Sequence, residues 1–562
     1  MDIQHHHHQV RYDRQIRLWG DEGQQTLQKA RICVFGSSAL AAEILKSLVL
    51  AGVGSFYIID DAIVKPSDLG QNFFLEIDSI GRYRGECLVK LLTELNPSVH
   101  GQHSPISFGQ FSKHEMFMLL NFSLIIGTNM CSTEAIKLDS FLFEHNIPFL
   151  FVKSVGMLGY LRISVKEHII WNTRIDNDSY DLRIDSPFPE LLKLANETDL
   201  NSMTHEQHSH TPYVLLYFKA IEIWKERHKT GQNTEEMEQE NGEKMSSFPN
   251  INDYKTRKEI EKILLEMRQP DDKGRFDEEN FAEATRNLLK SLRRTKVPSN
   301  VAKVLLDPKI NNSNFSFILE NSKSSNETST FNLFWLFCTA LNEFISEYGH
   351  LPISGQLPDM TSDSKRYAQL LGIYSEETAI GSIETAKEFL CFENITLEQC
   401  KTFCKNASKI AVQYGTSLNS EFCGNIKLIL QKIEQPKLDK LPPYVDPLTW
   451  YLLLRAVDKF QLENAAKIPN GENDLLKLKK CLTELLEETK DFELIKKQNL
   501  LFPDAILTEI CRFGNSELHI VSAIIGGVAS QEAIKLCTNQ YIPVDNSLIF
   551  DGNSQNASSF KI

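Results

Sequence analysis

The apolar and polar positions of this chain change period in blocks. Residues 31–35 (RICVF) form an apolar run of strand length, and residues 39–50 (ALAAEILKSLVL) carry apolar side chains at helical spacing. Residues 55–59 (SFYII) return to strand character and end at Asp60, two dozen residues after Gly36. A loop, DDAIVKPSDLGQNFF, precedes a helix expected near 79–95. Further strand-like runs follow at 123–128, 148–153 and 159–165, with helical patterns between the first two. This alternation predicts an α/β fold, a doubly wound and mostly parallel Rossmann-like sheet with an antiparallel addition at its end.

Beyond residue 170 the pattern turns helical, as in FNLFWLFCTALNEFISEYG and DPLTWYLLLRAVDKFQ. Two polar stretches, 229–247 and 321–329, read as flexible surface loops. Near the end, residues 519–540 form an apolar helix rich in small residues, and YIPV and SLIFDG read as two short strands around an Asp-Asn turn. Strand signals that return after a long helical region predict that the first domain is completed from the far end. The expected organisation is 1–170 and 501–562 for that domain, with 171–500 as an inserted helical domain.

Composition narrows the classes. The 562 residues are 42% hydrophobic and 24% charged, as in ordinary globular protein, and their length suits about two to four domains. A net charge of −14 argues against nucleic acid or an anionic membrane as partner. No apolar run of membrane-spanning length is read, and the N-terminus lacks the apolar core of a secretory signal. Eleven scattered cysteines with no CxxC pair suit reduced thiols, hence the cytoplasm or nucleus. The expectation is therefore no metal site. The run His5–His8 reads as a polar tail, and His205, His208 and His210 have metal-like spacing without a fourth ligand. Acidic runs such as 487–493 read as solvated faces.

The turn after the first strand, GSSALA, is where a nucleotide-binding βαβ unit would bring backbone N–H groups against phosphate. Only Gly36 remains of its glycines. Ser38, Ala39 and Ala41 place Cβ atoms where close backbone approach is needed, so a plain strand-to-helix turn is expected. Asp60 still stands where a ribose would be held. A degenerate Gly-rich turn of this kind also leaves a dinucleotide-dependent oxidoreductase open as an alternative.

The opening YDRQIRLWG (12–20), followed by this βαβ unit, resembles the ubiquitin-like-protein activating enzymes and their bacterial sulfur-carrier adenylating relatives, the ThiF-type adenylation fold. Working sites of that family carry a GxGGLGxE turn, a ribose Asp, an Asn-Leu-Asn-Arg-Gln-Phe segment, an Ile-Gly-x-x-Lys segment and a late metal-binding Asp. By this resemblance the ribose Asp is Asp60, the segment's Arg has become Gln71, the Lys position is Arg84, and the metal Asp is Asn129. Loss of that last charge removes a group needed to hold Mg²⁺ against triphosphate. No cysteine lies in the family's Pro-x-Cys-Thr setting; Cys338 and Cys404 sit in apolar helical patterns.

HSHTPY (208–213), 351–367, WYLLLRAVDKF (450–460) and 509–536 are similar to the non-catalytic subunits of neddylation activating enzymes. That resemblance implies a heterodimer whose catalytic subunit binds ATP and Mg²⁺ and forms the thioester, with a ubiquitin-like modifier and, transiently, a conjugating enzyme as further partners. It implies no cofactor bound by this chain. It also gives Arg14 of the Tyr-x-Arg-Gln opening a role in trans at the partner's ATP, where a guanidinium stabilises phosphate charge. The competing reading of Arg14 is a cap or salt bridge on its own helix. Gly526, Gly527, Ala529 and Ser530 become interface candidates, although a buried core helix has the same composition. A self-sufficient ATP-dependent adenylating enzyme is the alternative to the regulatory reading.

Overall fold

Strand β1 (Arg31–Phe35) is apolar on both faces and becomes the centre of the first unit in the computed structural model. The structure describes residues 2–174, 180–229, 248–311, 330–386, 396–422, 429–438, 444–464, 467–488, 498–513 and 516–561. Nearly all of the two polar stretches and most of the acidic run 487–493 lie outside these residues. The chain divides into two compact units, Met1–Ile170 with Val412–Ile562, and Trp171–Ala411.

In the first unit, α1 (Asp2–Lys29) leads into β1, α2 (Ala39–Ala51) and β2 (Ser55–Ile59). The backbone of α1 breaks its helix at Gly20, and His5–His8 lie within its first part, so the expected polar tail is helical backbone instead. Next come α3 (Arg84–Leu95), β3 (His100–Ser104), β4 (Leu124–Thr128), α4 (Ser132–Glu144), β5 (Phe149–Val155) and β6 (Leu158–Ser164). After residue 412 the unit resumes, notably with α5 (Pro447–Glu463), α6 (His519–Thr538), β7 (Ser547–Asp551) and β8 (Asn556–Phe560).

The eight strands are ordered β8-β7-β6-β5-β4-β1-β2-β3. β1 to β5 are mutually parallel, and β6, β7 and β8 continue as antiparallel neighbours. The chain leaves β1 toward β2 and later reaches β4 on its other side. That makes the C-terminal ends of β1 and β4 the topological switch point, where ligands of such sheets bind. One face of the sheet is covered by α2, α3 and α6, the other by α4 and α5.

Several sequence expectations are corrected. The first unit resumes at 412, not 501, because Leu453, Leu454 and Val457 of α5 share a core with Phe149, Phe151 and Tyr160 of the sheet. Helical periodicity cannot say which core a helix joins. β3, HGQHS, is polar and partly exposed at the sheet edge, so hydropathy misses it. YIPV is no strand; Pro543 lacks a ladder donor, and the hairpin turn falls after Asp551. Finally, α6 is long and apolar enough by composition to cross a membrane, contrary to the reading that no such run exists. Its 61% burial identifies it as a core helix of this unit.

The second unit is helical and has its own core. Helices Tyr213–Lys229, Tyr254–Glu266, Glu279–Ser291 and Ser364–Ala386 surround Tyr213, Tyr217, Phe281 and Tyr374. His208 is buried there, with Nδ1 2.5 Å from Glu278 Oε1 and its ring stacked on Phe281. Its motif is thus spent on packing.

A buried ionic network fastens the returning segment to the sheet. Arg162 on β6 is fully buried and pairs with buried Glu421, and it donates to Thr416 O at 3.0 Å and Thr416 Oγ1 at 2.8 Å. Glu421 also accepts from Tyr451 at 2.7 Å and Tyr160 at 3.1 Å. Glu421→Ala strands a buried guanidinium, so unfolding of the first unit by denaturant is expected to lose about 3–5 kcal/mol, with the Arg162→Met/Glu421→Leu double variant recovering most of it.

Candidate functional site

The switch point is built by β1, whose last residue hands over to Gly36. This glycine has φ +98°, and a Cβ there would lie 2.5 Å from Thr128 Oγ1 at the end of β4. Both constraints demand glycine. Ser38 then caps α2 by position, but its side chain makes no capping bond within the helix.

The missing cap comes from the far end of the chain. Glu517 places its carboxylate at the N-terminus of α2, accepting from Leu40 N at 2.8 Å, Ala39 N at 3.2 Å and Ser38 Oγ at 2.7 Å. Asn129 Nδ2 donates to the same carboxylate at 3.1 Å. These are the amide and hydroxyl donors that a phosphate would use at a helix N-terminus. The loop is therefore closed by an internal anion, where the sequence predicted closure by Cβ atoms. Ala41 is a correction in particular: its side chain is buried in the core beneath α2 and faces away from the site.

Asp60 is likewise consumed. Its carboxylate takes a short bond from buried Ser37, lies 3.4 Å from Arg84 and accepts from Ala62 N at 3.2 Å. Arg84 donates to Ser37 Oγ at 2.9 Å and sits 3.6 Å from Asp68. Arg84 thus cross-links Asp60 to the loop. Asn129 is held by Ser154 N, which donates to its Oδ1 at 2.8 Å, leaving its amide for Glu517. Gln71 faces a remaining cavity of about 190 Å³ with Asn129, Lys153, Asp458 and Glu517. Lys153 and Asp458 are paired across it. That volume falls short of the roughly 300–1,000 Å³ usual for cofactor-sized ligands.

Arg14 stands apart from all of this. Tyr12, two residues earlier, is buried, accepts from Asn96 Nδ2 at 2.9 Å and packs on Gly52. The anchor holds α1 on the unit while Arg14 points outward. Neighbouring cations have partners, Arg17 with Asp13 at 3.0 Å and Arg11 with Asn96 at 2.7 Å. Arg14 is exposed and makes no hydrogen bond or ion pair with the described residues.

The interface candidates separate. Gly526 packs on α2, where a Cβ would meet Glu43 Cβ at 3.0 Å, and Ala529 and Ser530 are buried. Those three are spent inside the chain. Gly527 alone opens outward, with nothing within 4 Å of a Cβ placed there. It continues a stripe formed by Ile520 and Ile524, 68% and 44% exposed. Phe73, 70% exposed, adjoins the stripe through its ring contact with His519 at 3.9 Å.

No group of His, Cys, Asp or Glu side chains suited to a metal occurs among the described residues. The described cysteines are free, and all but the half-buried Cys131 are buried. Burial pushes the thiols of Cys338 and Cys404 up, and that of Cys537 to about 12. Raised values disfavour the thiolate, so labelling of the native chain at neutral pH should leave Cys338 and Cys404 unmodified. Mass spectrometry after alkylation checks this, with Cys131 reacting first among the described cysteines.

Glu517, Ser37, Asp68, Lys153 and Asp458 are the site residues that the sequence reading missed. Only three-dimensional closure brings residues 477 positions apart together, as at Leu40 and Glu517. Ser37, Asp68, Asp458 and Glu517 lie within segments the sequence singles out (GSSALA, DDAIVKPSDLGQNFF, 450–460 and 509–536), but spacing alone does not mark these side chains as partners at the site.

Comparison with known proteins agrees with this architecture. The ThiF family model matches residues 12–562. The NEDD8-activating enzyme E1 regulatory subunit of Caenorhabditis elegans is 39% identical, with 98% of each chain covered. That of Xenopus laevis is 33% identical, covering 99% of each. The Arabidopsis thaliana subunit AXR1 is 32% identical over 98% of this chain and 96% of its own. The chain belongs to the ThiF family, among the NEDD8-activating enzyme E1 regulatory subunits.

Proposed function

We propose that this chain is the catalytically incomplete member of a heterodimeric activating enzyme. Its partner would bind ATP and Mg²⁺, adenylate the C-terminus of a NEDD8-like modifier and carry the modifier as a thioester to a conjugating enzyme. The observation that carries this reading is the contrast within one unit. The α2 amides, Asp60, Arg84 and Asn129 are satisfied internally, while exposed Arg14 has no partner among the described residues. A site whose polar groups are paired at home offers little to ATP. Burial and raised pKa values make Cys338 and Cys404 poor nucleophiles.

On this reading the chain itself holds no cofactor, and its contribution is structural and electrostatic. The stripe of Ile520, Ile524 and Gly527 with Phe73 is apolar, exposed and adjacent to the switch point, which suits a partner of the same fold. Arg14, held outward by the Tyr12 anchor, would reach across to the partner's triphosphate and stabilise charge during adenylation. Reduced cysteines are consistent with the cytoplasm or nucleus.

Arg14→Ala in the reconstituted pair is expected to slow modifier-dependent pyrophosphate exchange by about 10²-fold with assembly intact by gel filtration. Unchanged exchange would reduce this chain to a scaffold. Ile524→Glu should do the opposite, weakening assembly about 10-fold or more by placing a charge in the apolar stripe, as measured by calorimetric titration of partner.

A further inference from the structure

Glu517 does more than fill space. It lies two residues before α6, and the first turn of α6 is tied down at several points around it. His519 Nδ1 is 3.2 Å from Gln71 O, its ring rests on Phe73, and its Nε2 is 3.8 Å from Glu43 Oε1 on α2. The next residue is exposed Ile520, the start of the apolar stripe. The old phosphate loop therefore grips the segment that begins the outward-facing helix.

We infer that Glu517 is an internal anion latch: its carboxylate has taken the place of phosphate at α2, and in doing so fixes the first turn of α6 and the apolar stripe that follows. This rests on the reading that the domain no longer works on nucleotide. The donors fit the role. Two successive backbone amides, a hydroxyl and a side-chain amide converge on one carboxylate, satisfying helix-end donors that Ser38 leaves unmet. A carboxylate there is favoured by the helix dipole, and ligation within the chain carries no translational entropy cost. A free phosphate would have to displace a tethered competitor. Conversely, a phosphate bound to the loop would satisfy α2 without restoring the anchor at residue 517, because it has no covalent link to residue 518; the first turn of α6 would keep the His519 contacts and lose that tether.

That asymmetry supplies the test. Hydrogen exchange of the full-length chain is followed in wild type, Glu517→Ala and Glu517→Gln, with and without millimolar inorganic phosphate. In Glu517→Ala, amides 39–40 and 522–524 are expected to exchange at least about 10-fold faster, and the melting temperature to fall by about 3–6 °C. Phosphate should restore protection at 39–40 and leave 522–524 fast. Wild type should be indifferent to phosphate. Glu517→Gln, which keeps shape and one acceptor oxygen, should be intermediate and remains readable if the alanine variant folds poorly. Unchanged exchange at both segments in both variants would overturn the latch, as would phosphate protecting the wild-type loop. None of these readings needs the partner, so they stand or fall separately from the role of Arg14.

Discussion

One carboxylate meeting one helix N-terminus organises this molecule. The start of α2 presents unpaired amides at the switch point of a doubly wound sheet, a place where physics favours an anion whatever its source. Here the source is Glu517, delivered by the returning segment of the chain. Closing the site this way satisfies α2, seats α6 against it and leaves only about 190 Å³ beside Gln71 and Asn129. Nucleotide binding and this mode of folding compete for the same donors.

The other losses are compensated in the same manner. Arg84 bridges Asp60, Asp68 and Ser37, so a carboxylate suited to a ribose becomes part of an internal ion cluster. Asn129 spends its amide on Glu517 and its carbonyl on Ser154. These are repairs, each pairing a polar group that would otherwise be left unsatisfied near the protein interior. On the same unit, a buried Tyr12 supports an exposed Arg14, and an apolar stripe along α6 faces outward.

Much of the fold was legible in the sequence because β1, α2, β2, β4, β5 and β6 announce themselves by apolar period. β3 did not, being a polar edge strand, and neither did the resumption at 412, because α5 reads the same whichever core it joins. At the site, the residues of the degenerate loop were visible as substitutions, yet the reason for closure was not. Ala41 seemed to block the ligand but faces the core, whereas Glu517 sat unremarked within a helix-flanking segment. Gly526 is small for close packing against α2 of its own chain, and Ala529 and Ser530 are buried within the same unit. Spacing along a sequence marks local chemistry and is blind to a donor supplied from hundreds of residues away.

We propose that this unit retains a nucleotide-binding architecture without binding nucleotide, and serves a site on another chain. Nucleotide stoichiometry separates this from the alternatives. Equilibrium dialysis of ATP with Mg²⁺ against the isolated chain and against the purified pair should give none on the chain alone and one per pair. Saturable binding to the isolated chain, or two nucleotides per pair, would show that this chain binds nucleotide itself.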